Sequence, residues 1–332
     1  GLCGDTGRVL GVSVRADLTV TFIGLKRGLF TLDAADHVGQ LDFTDLAVPA
    51  EVYGEVPADG FRLSLEDLLA SLPPRPANAH KGMYGTVLVV GGDHGMAGAA
   101  AMAAEAALRC GAGLVRVATH AEHVAALVSR VPEVMPRGVA SGQELAPMLD
   151  AADVLVVGPG LGRSPWSEQL LQAAAASGKP MVLDADGLNL LAEGRVVAPA
   201  RRDNWVLTPH PGEAARLLGC PTAEIQADRF ASAQQLQQRY GGVVLLKGNG
   251  TVVAGSDRWL LSDYGNPGMA SGGMGDVLSG VIGSLLAQQL PSLEAAALGA
   301  CLHGAAADMA AEQGERGLAA TDLIPPMRLL LQ

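Results

Sequence analysis

The chain has 332 residues, of which 49% are hydrophobic, 17% charged and 4% aromatic, and its net charge is −11. That acidic balance, without a long basic run, argues against a nucleic-acid or anionic-membrane surface. No apolar run reaches the ~18 residues of a membrane helix, and no signal peptide is visible.

Residues 1–50 read as β-rich. "RADLTVTFIGLK" carries a Leu18-Val20-Phe22 alternation that predicts a strand, and "HVGQLDFTDLAVP" predicts another. Two or three strands are too few to fold alone. Residues 51–79 read as a connector with a short helix at "LEDLLASL" and a Pro-rich stop at "PPRPANAH". The rhythm then changes. "GTVLVVGG" (85–92) is an apolar run bounded by glycine, as for a buried parallel strand. A helix of small residues (96–113) and a strand (114–119) follow. Four further segments, 152–162, 179–192, 204–219 and 241–255, each pair a strand with a Gly, Asp, His or Lys cluster. From about 274 the chain reads mostly as helix. Repeated β-loop-α units predict an α/β fold with a parallel sheet and right-handed crossovers, built on Ala, Val and Leu. The polar clusters then gather at the carboxyl edge of the strands, where open α/β sheets bind ligands. Cys3, Cys110, Cys220 and Cys301 are far apart and form no CxxC pair. This fits a reducing cytosol and argues against a disulfide frame or a zinc site.

The clusters differ in specificity. "GGDHGMAGAA" opens a helix, but it is not G-x-G-x-x-G and no ribose-binding acid follows at the expected distance, which disfavours a dinucleotide fold. Its small residues equally suit close helix–sheet packing. "GPGLG" (158–162) lets a ligand approach the backbone, as many β-α turns do. In "DADGLN", Asp184 and Asp186 suit metal or hydroxyl binding, or helix capping. In "TPHPGE", Pro209 and Pro211 stiffen the loop around His210, and Glu213 sits in the first helical turn. "LKGNGT" offers Lys247 and bare amides to a phosphate, or is a hairpin turn with a solvated lysine. "SGGMGD" is the sharpest signal. The amides of Gly272, Gly273, Met274 and Gly275 at a helix start make an anion hole. The helix dipole favours the ionised form of Asp276. A carboxylate able to take a hydroxyl proton, beside amides that hold a phosphate, is what phosphoryl transfer needs.

Taken in order, "GGDHGMAGAAAMAAEAALRCGAGLV", "GPGLG", "VLDADGLN", "LTPHPGEAARLLG", "LLKGNGTVV", "NPGMASGGMGDVLSG" and "AALGACLHGAAADMAA" resemble the NAD(P)H-hydrate dehydratase family, over roughly residues 60–332. Residues 1–50 resemble the tail of the NAD(P)H-hydrate epimerase domain that precedes the dehydratase in bifunctional bacterial members. The resemblance implies a remnant of that domain over 1–50, a linker over 51–79 and a dehydratase domain over 80–332. Epimerase activity is not expected from this chain, because that domain's cofactor pocket would lie upstream of Gly1.

The implied fold is ribokinase-like, a central mainly parallel sheet flanked by helices. The implied reaction is dehydration of the S epimer of hydrated NADH or NADPH, by phosphorylation of the hydroxyl and loss of phosphate, in the cytoplasm. ADP is the implied nucleotide, with ATP as the alternative, and Mg²⁺ bridges its phosphates; the metal ligands are not evident. By the same resemblance, Asp276 activates the hydroxyl and Gly275 touches the nucleotide. Lys247, Gly248, Asn249, Gly250 and Thr251 hold AMP or the phosphates. Ala99, Gly162 and His210 contact the hydrated dinucleotide. The family's loop reads G-T-G-D, whereas Met274 stands here in place of Thr. Small faces on the Ala-rich helices suit packing in the core or across subunits, and a homo-oligomer is expected. The alternative function is a ribokinase-like kinase of a small alcohol such as a vitamin or thiazole, which would release a stable phosphate ester. A nucleotide-binding regulatory module without catalysis is the third reading.

Overall fold

Glycine-bounded apolar runs become the centre of a ten-stranded sheet in the computed structural model, which describes residues 1–332. Two strands lie outside that sheet. β1 (Leu18–Phe22) and β2 (Gln40–Thr44) pair in parallel near the start of the chain. The others are β3 (Gly60–Arg62), β4 (Thr86–Val90), β5 (Leu114–Thr119), β6 (Met135–Gly138), β7 (Val154–Val157), β8 (Met181–Leu183), β9 (Trp205–Leu207), β10 (Val243–Leu246), β11 (Thr251–Ala254) and β12 (Trp259–Ser262). Their order across the sheet is β3-β12-β11-β10-β9-β8-β7-β4-β5-β6. All neighbours are parallel except β11, which runs against β10 and β12. The fold is therefore the mainly parallel α/β sheet expected.

The sheet is buried on both faces, which explains its continuous Val and Leu runs. In β4, Val87 and Val89 join one core while Leu88 and Val90 join the other. Helices Ala97–Arg109, Met274–Ala287 and Ser292–Ala311 cover the first face. Helices Pro165–Ala176, Ala185–Glu193, Pro211–Leu218 and Arg229–Tyr240 cover the second. The small residues of the 97–109 helix allow a close approach. A Cβ on Gly280 would collide with the Ala103 carbonyl, so the 97–109 and 274–287 helices meet backbone to backbone.

From β4 the chain winds outward to β5 and β6, then returns to place β7 on the other side of β4. This reversal opens a crevice at the carboxyl ends of β4 and β7, the usual ligand position in such sheets. Two segments differ from the sequence expectation in detail. The β1 alternation does mark a strand, but Leu18, Val20 and Phe22 are 53%, 43% and 48% exposed, while Thr21 faces inward. The connector at 51–79 supplies β3 to the sheet edge, and its Leu65–Ala70 helix, capped by Ser64, packs on the 292–311 helix. No helix is long and apolar enough to cross a membrane.

Candidate active site

The ends of β4, β7, β8, β9 and β10 point to one edge of the sheet because all five strands are parallel. Each sequence cluster singled out above sits there. The β4 and β7 loops are knitted together: Gly92 donates to the Pro159 carbonyl at 3.1 Å and Asp93 to the Gly160 carbonyl at 2.6 Å. Ala99 lies in the first turn of the 97–109 helix above this crevice, near Gly160. The Gly162 amide donates to Asp186 Oδ2 at 2.9 Å, which ties the β7 loop to the β8 loop.

At the centre is a buried ion pair. Lys247 Nζ lies 2.7 Å from Asp184 Oδ1 and 3.9 Å from Glu213 Oε2. Asp184 is 1% exposed and Glu213 is 5% exposed. Ser279 Oγ donates to Asp184 Oδ2 at 2.8 Å, so both carboxylate oxygens are partnered. Although burial works against its charge, Asp184 and then Glu213 hold the Lys247 pKa above its ordinary value. His210 is the N-cap of the 211–218 helix. Its Nδ1 accepts from the Gly212 amide at 2.9 Å, and its Nε2 is 3.4 Å from Glu213 Oε1. Burial and then Lys247 lower the His210 pKa, so the ring is neutral at pH 7. Burial also raises that of Glu213.

Asp276 stands at the third position of the 274–287 helix, whose N-cap Gly273 has φ of +92°, a left-handed turn that a Cβ would strain. Its carboxyl is pushed up to about 7, first by burial and then by the charge of Asp184; Asp186 and Glu213 add to this and Lys247 opposes it. The helix dipole alone favours a low value. Desolvation and three neighbouring carboxylates outweigh it, because the helix-end field is worth only ~0.3–1 kcal/mol at ordinary sites. A pKa near 7 suits a general base. A Cβ on Gly275 would lie 3.1 Å from Lys247 Nζ and 3.3 Å from Asp184 Oδ2, so the backbone there runs against the ion pair. The Met274 side chain is buried in the core at 7% exposure. At that position only the backbone amide can face an anion.

The Lys247–Thr251 loop is a hairpin between β10 and β11, stiffened from both sides. Thr251 Oγ1 donates to the Gly248 carbonyl at 3.1 Å. Arg229, 1% exposed, donates from Nη2 to the carbonyls of Leu246, Lys247 and Gly250 at 3.1, 3.2 and 3.2 Å. Burial lowers its pKa to about 10, so it stays charged at pH 7. Next to this loop is a cavity of about 590 Å³, lined by Lys247 to Thr251, Met274 and Gly275 among others. Arg229→Ala would orphan three carbonyls. We expect a stability loss of about 2–4 kcal/mol in denaturant melts.

The structure thus brings His210, Lys247, Gly275 and Asp276 around one ion-pair cluster, with Gly162 and Ala99 on its crevice side. Ser279 and Arg229 were not among the sequence candidates for the site. Asp184 was legible only as one of two acids with a capping alternative. Ser279 had no signal beyond lying three residues after Asp276.

The sequence model of the NAD(P)H-hydrate dehydratase family matches residues 87–327. The chain belongs to the NAD(P)H-hydrate dehydratase family. It is 50% identical to the bifunctional NAD(P)H-hydrate repair enzyme Nnr of Coxiella burnetii, over 100% of this chain and 67% of that protein. The Escherichia coli Nnr is also 50% identical, over 100% of this chain and 64% of the other. The chain therefore spans about two thirds of the length of these curated relatives. Among solved structures, the Bacillus subtilis ADP/ATP-dependent NAD(P)H-hydrate dehydratase, co-crystallised with ATP and Mg²⁺, superposes with a TM-score of 0.73 at 31% identity. It covers 82% of this chain and 98% of its own. This dehydratase-family chain thus has the ribokinase-like fold implied by its motifs.

Proposed function

We propose that this chain dehydrates hydrated NADH or NADPH with ADP as phosphoryl donor, and that Asp276 is the base. The observation that carries the reading is a carboxylate pushed up to about 7 at a glycine-rich helix start, beside the Lys247–Asp184 pair. Asp276 takes the proton of the substrate hydroxyl, and the oxygen attacks the terminal phosphorus of ADP. AMP leaves, and the free amides at Gly272 to Gly275 and the Lys247 ammonium hold the charge on the transferring group. Hydroxide is a poor leaving group from the reduced ring, and phosphate is a good one. The lone pair of the ring nitrogen expels it, and loss of a proton from the adjacent ring carbon restores the double bond. Ala99, Gly162 and His210 position the dinucleotide in the crevice. Asp184 and Glu213 do not fit Mg²⁺ as they stand, because the Lys247 ammonium already lies between them and Ser279 takes the other Asp184 oxygen.

Bifunctional relatives support reading residues 1–50 as the tail of an epimerase domain and 80–332 as the dehydratase. Four free cysteines fit a reducing cytoplasm. A homo-oligomer remains part of the proposal.

The test is hydrated NADH offered with ADP or ATP. Recovery of reduced-nicotinamide absorbance with release of AMP and phosphate supports the reading. A stable phosphorylated alcohol would replace it with a kinase. A second expectation concerns pH. The base must be ionised, so kcat/KM should fall about tenfold per unit below pH 7 and level off above it. A flat profile between pH 5.5 and pH 8, a range of ~2.5 units, would remove Asp276 from the role.

A further inference from the structure

The cavity beside the Lys247–Thr251 loop is not built by the dehydratase segment alone. Leu32, Ala35 and Asp36 also line it. They come from the start of the chain, more than two hundred residues before the loop they meet. The two segments are bonded backbone to backbone. Leu32 N donates to the Asn249 carbonyl at 3.3 Å, and Asn249 Nδ2 donates to the Leu32 carbonyl at 2.6 Å. The buried Thr31 hydroxyl donates to the Asn249 carbonyl at 2.8 Å. Contact is so close that a Cβ on Gly250 would collide with the Phe30 carbonyl and lie 2.8 Å from Thr31 Cα. Leu32 itself has φ of +55°, a left-handed conformation that a leucine keeps only when its surroundings hold it.

The opposite wall of the cavity carries a buried histidine. His303, only 6% exposed, lines it, and its Nε2 has no hydrogen-bond partner in the protein. Burial lowers its pKa to about 4, so the ring is neutral at pH 7.

We infer that residues 31–36 are a working part of the nucleotide site. Thr31 and Leu32 fix the loop that takes the phosphates, and Leu32, Ala35 and Asp36 form the wall of the cavity that receives the nucleoside. The dehydratase site is then completed by the segment that precedes the family-matched region. This rests on the nucleotide reading of the Lys247 loop.

The test uses the full chain and ADP alone, by calorimetric titration. Ala35 is exposed at the cavity rim, so Ala35→Trp fills space without disturbing the core. We expect at least a tenfold rise in the Kd for ADP with an unchanged melting temperature, a higher KM for ADP, and an unchanged KM for hydrated NADH. Asp36→Trp, also at an exposed lining position, fills the same space and should raise the Kd as well. Lys247→Ala, verified as folded by its melting curve at the titration temperature, is the reference. If it abolishes ADP binding while both wall variants bind as the parent does, the wall proposal is wrong and the nucleotide site stands. If Lys247→Ala also binds ADP normally, the nucleotide reading itself fails and the wall proposal falls with it.

Discussion

Asp276→Asn is expected to remove dehydration while making the protein more stable. The amide keeps the shape but cannot take the hydroxyl proton, and positioned bases contribute roughly 10²–10⁴-fold. We therefore expect kcat to drop by about that factor, with the Kd for nucleotide nearly unchanged. The stability gain follows from linkage. The folded carboxyl, buried and facing Asp184, has a pKa of about 7 against the ordinary 3.8 of an aspartate. The native state thus holds its proton over a range where the unfolded chain has lost it. Stability from this group is present below the unfolded value and is lost as pH rises through 7. Each unit corresponds to about 1.4 kcal/mol. Partial solvent access reduces the total, so we expect the variant to gain about 1–3 kcal/mol at pH 8 and little at pH 4. Denaturant melts at both pH values check the sign, and a gain at pH 4 equal to that at pH 8 would contradict it.

Lys247→Met should have the opposite effect on stability. It removes the 2.7 Å partner of an almost fully buried Asp184 and leaves that carboxylate with Ser279 alone. Breaking one side of a buried pair costs about 3–5 kcal/mol. The loss should also take away the cation that attracts the phosphates, so nucleotide affinity should fall. Adding Asp184→Asn removes the unpaired charge. The double variant should regain most of the stability and none of the affinity. Recovery of both together would mean that Lys247 acts on binding only through folding.

Much of this was legible in the sequence, and the reasons divide by type of signal. Glycine-bounded Val and Leu runs marked the parallel strands because strands buried on both faces carry no alternation. The strand-end clusters then had to share an edge, since parallel strands expose the same end. Lys247, His210 and Asp276 could be placed on that argument alone. The raised pKa of Asp276 could not, because it depends first on burial and then on Asp184, Asp186 and Glu213 arriving from two other loops. Nor could the charge state of Lys247, which in sequence is equally a solvated turn lysine. The exposed apolar side of β1 reversed a simple pattern reading. Alternation fixes which residues share a face, and says nothing of which face is covered. The contact between Thr31 and Asn249 was out of reach for the same reason that long-range pairing always is. Nothing local in "LFTLD" or "KGNGT" refers to the other.

Ser279 lies one helical turn beyond Asp276 and is bonded to Asp184 at the end of β8. The helix carrying the base is therefore bolted to the sheet close to the point of reaction. A carboxylate mounted in this way has a fixed address and cannot travel to its substrate. The hydroxyl must be delivered to it, and a base fixed on one side of a ring reaches a hydroxyl on that side only. Handedness of the accepted hydrate is then a property of the scaffold, set by the core packing and the serine bond that together hold this helix in place.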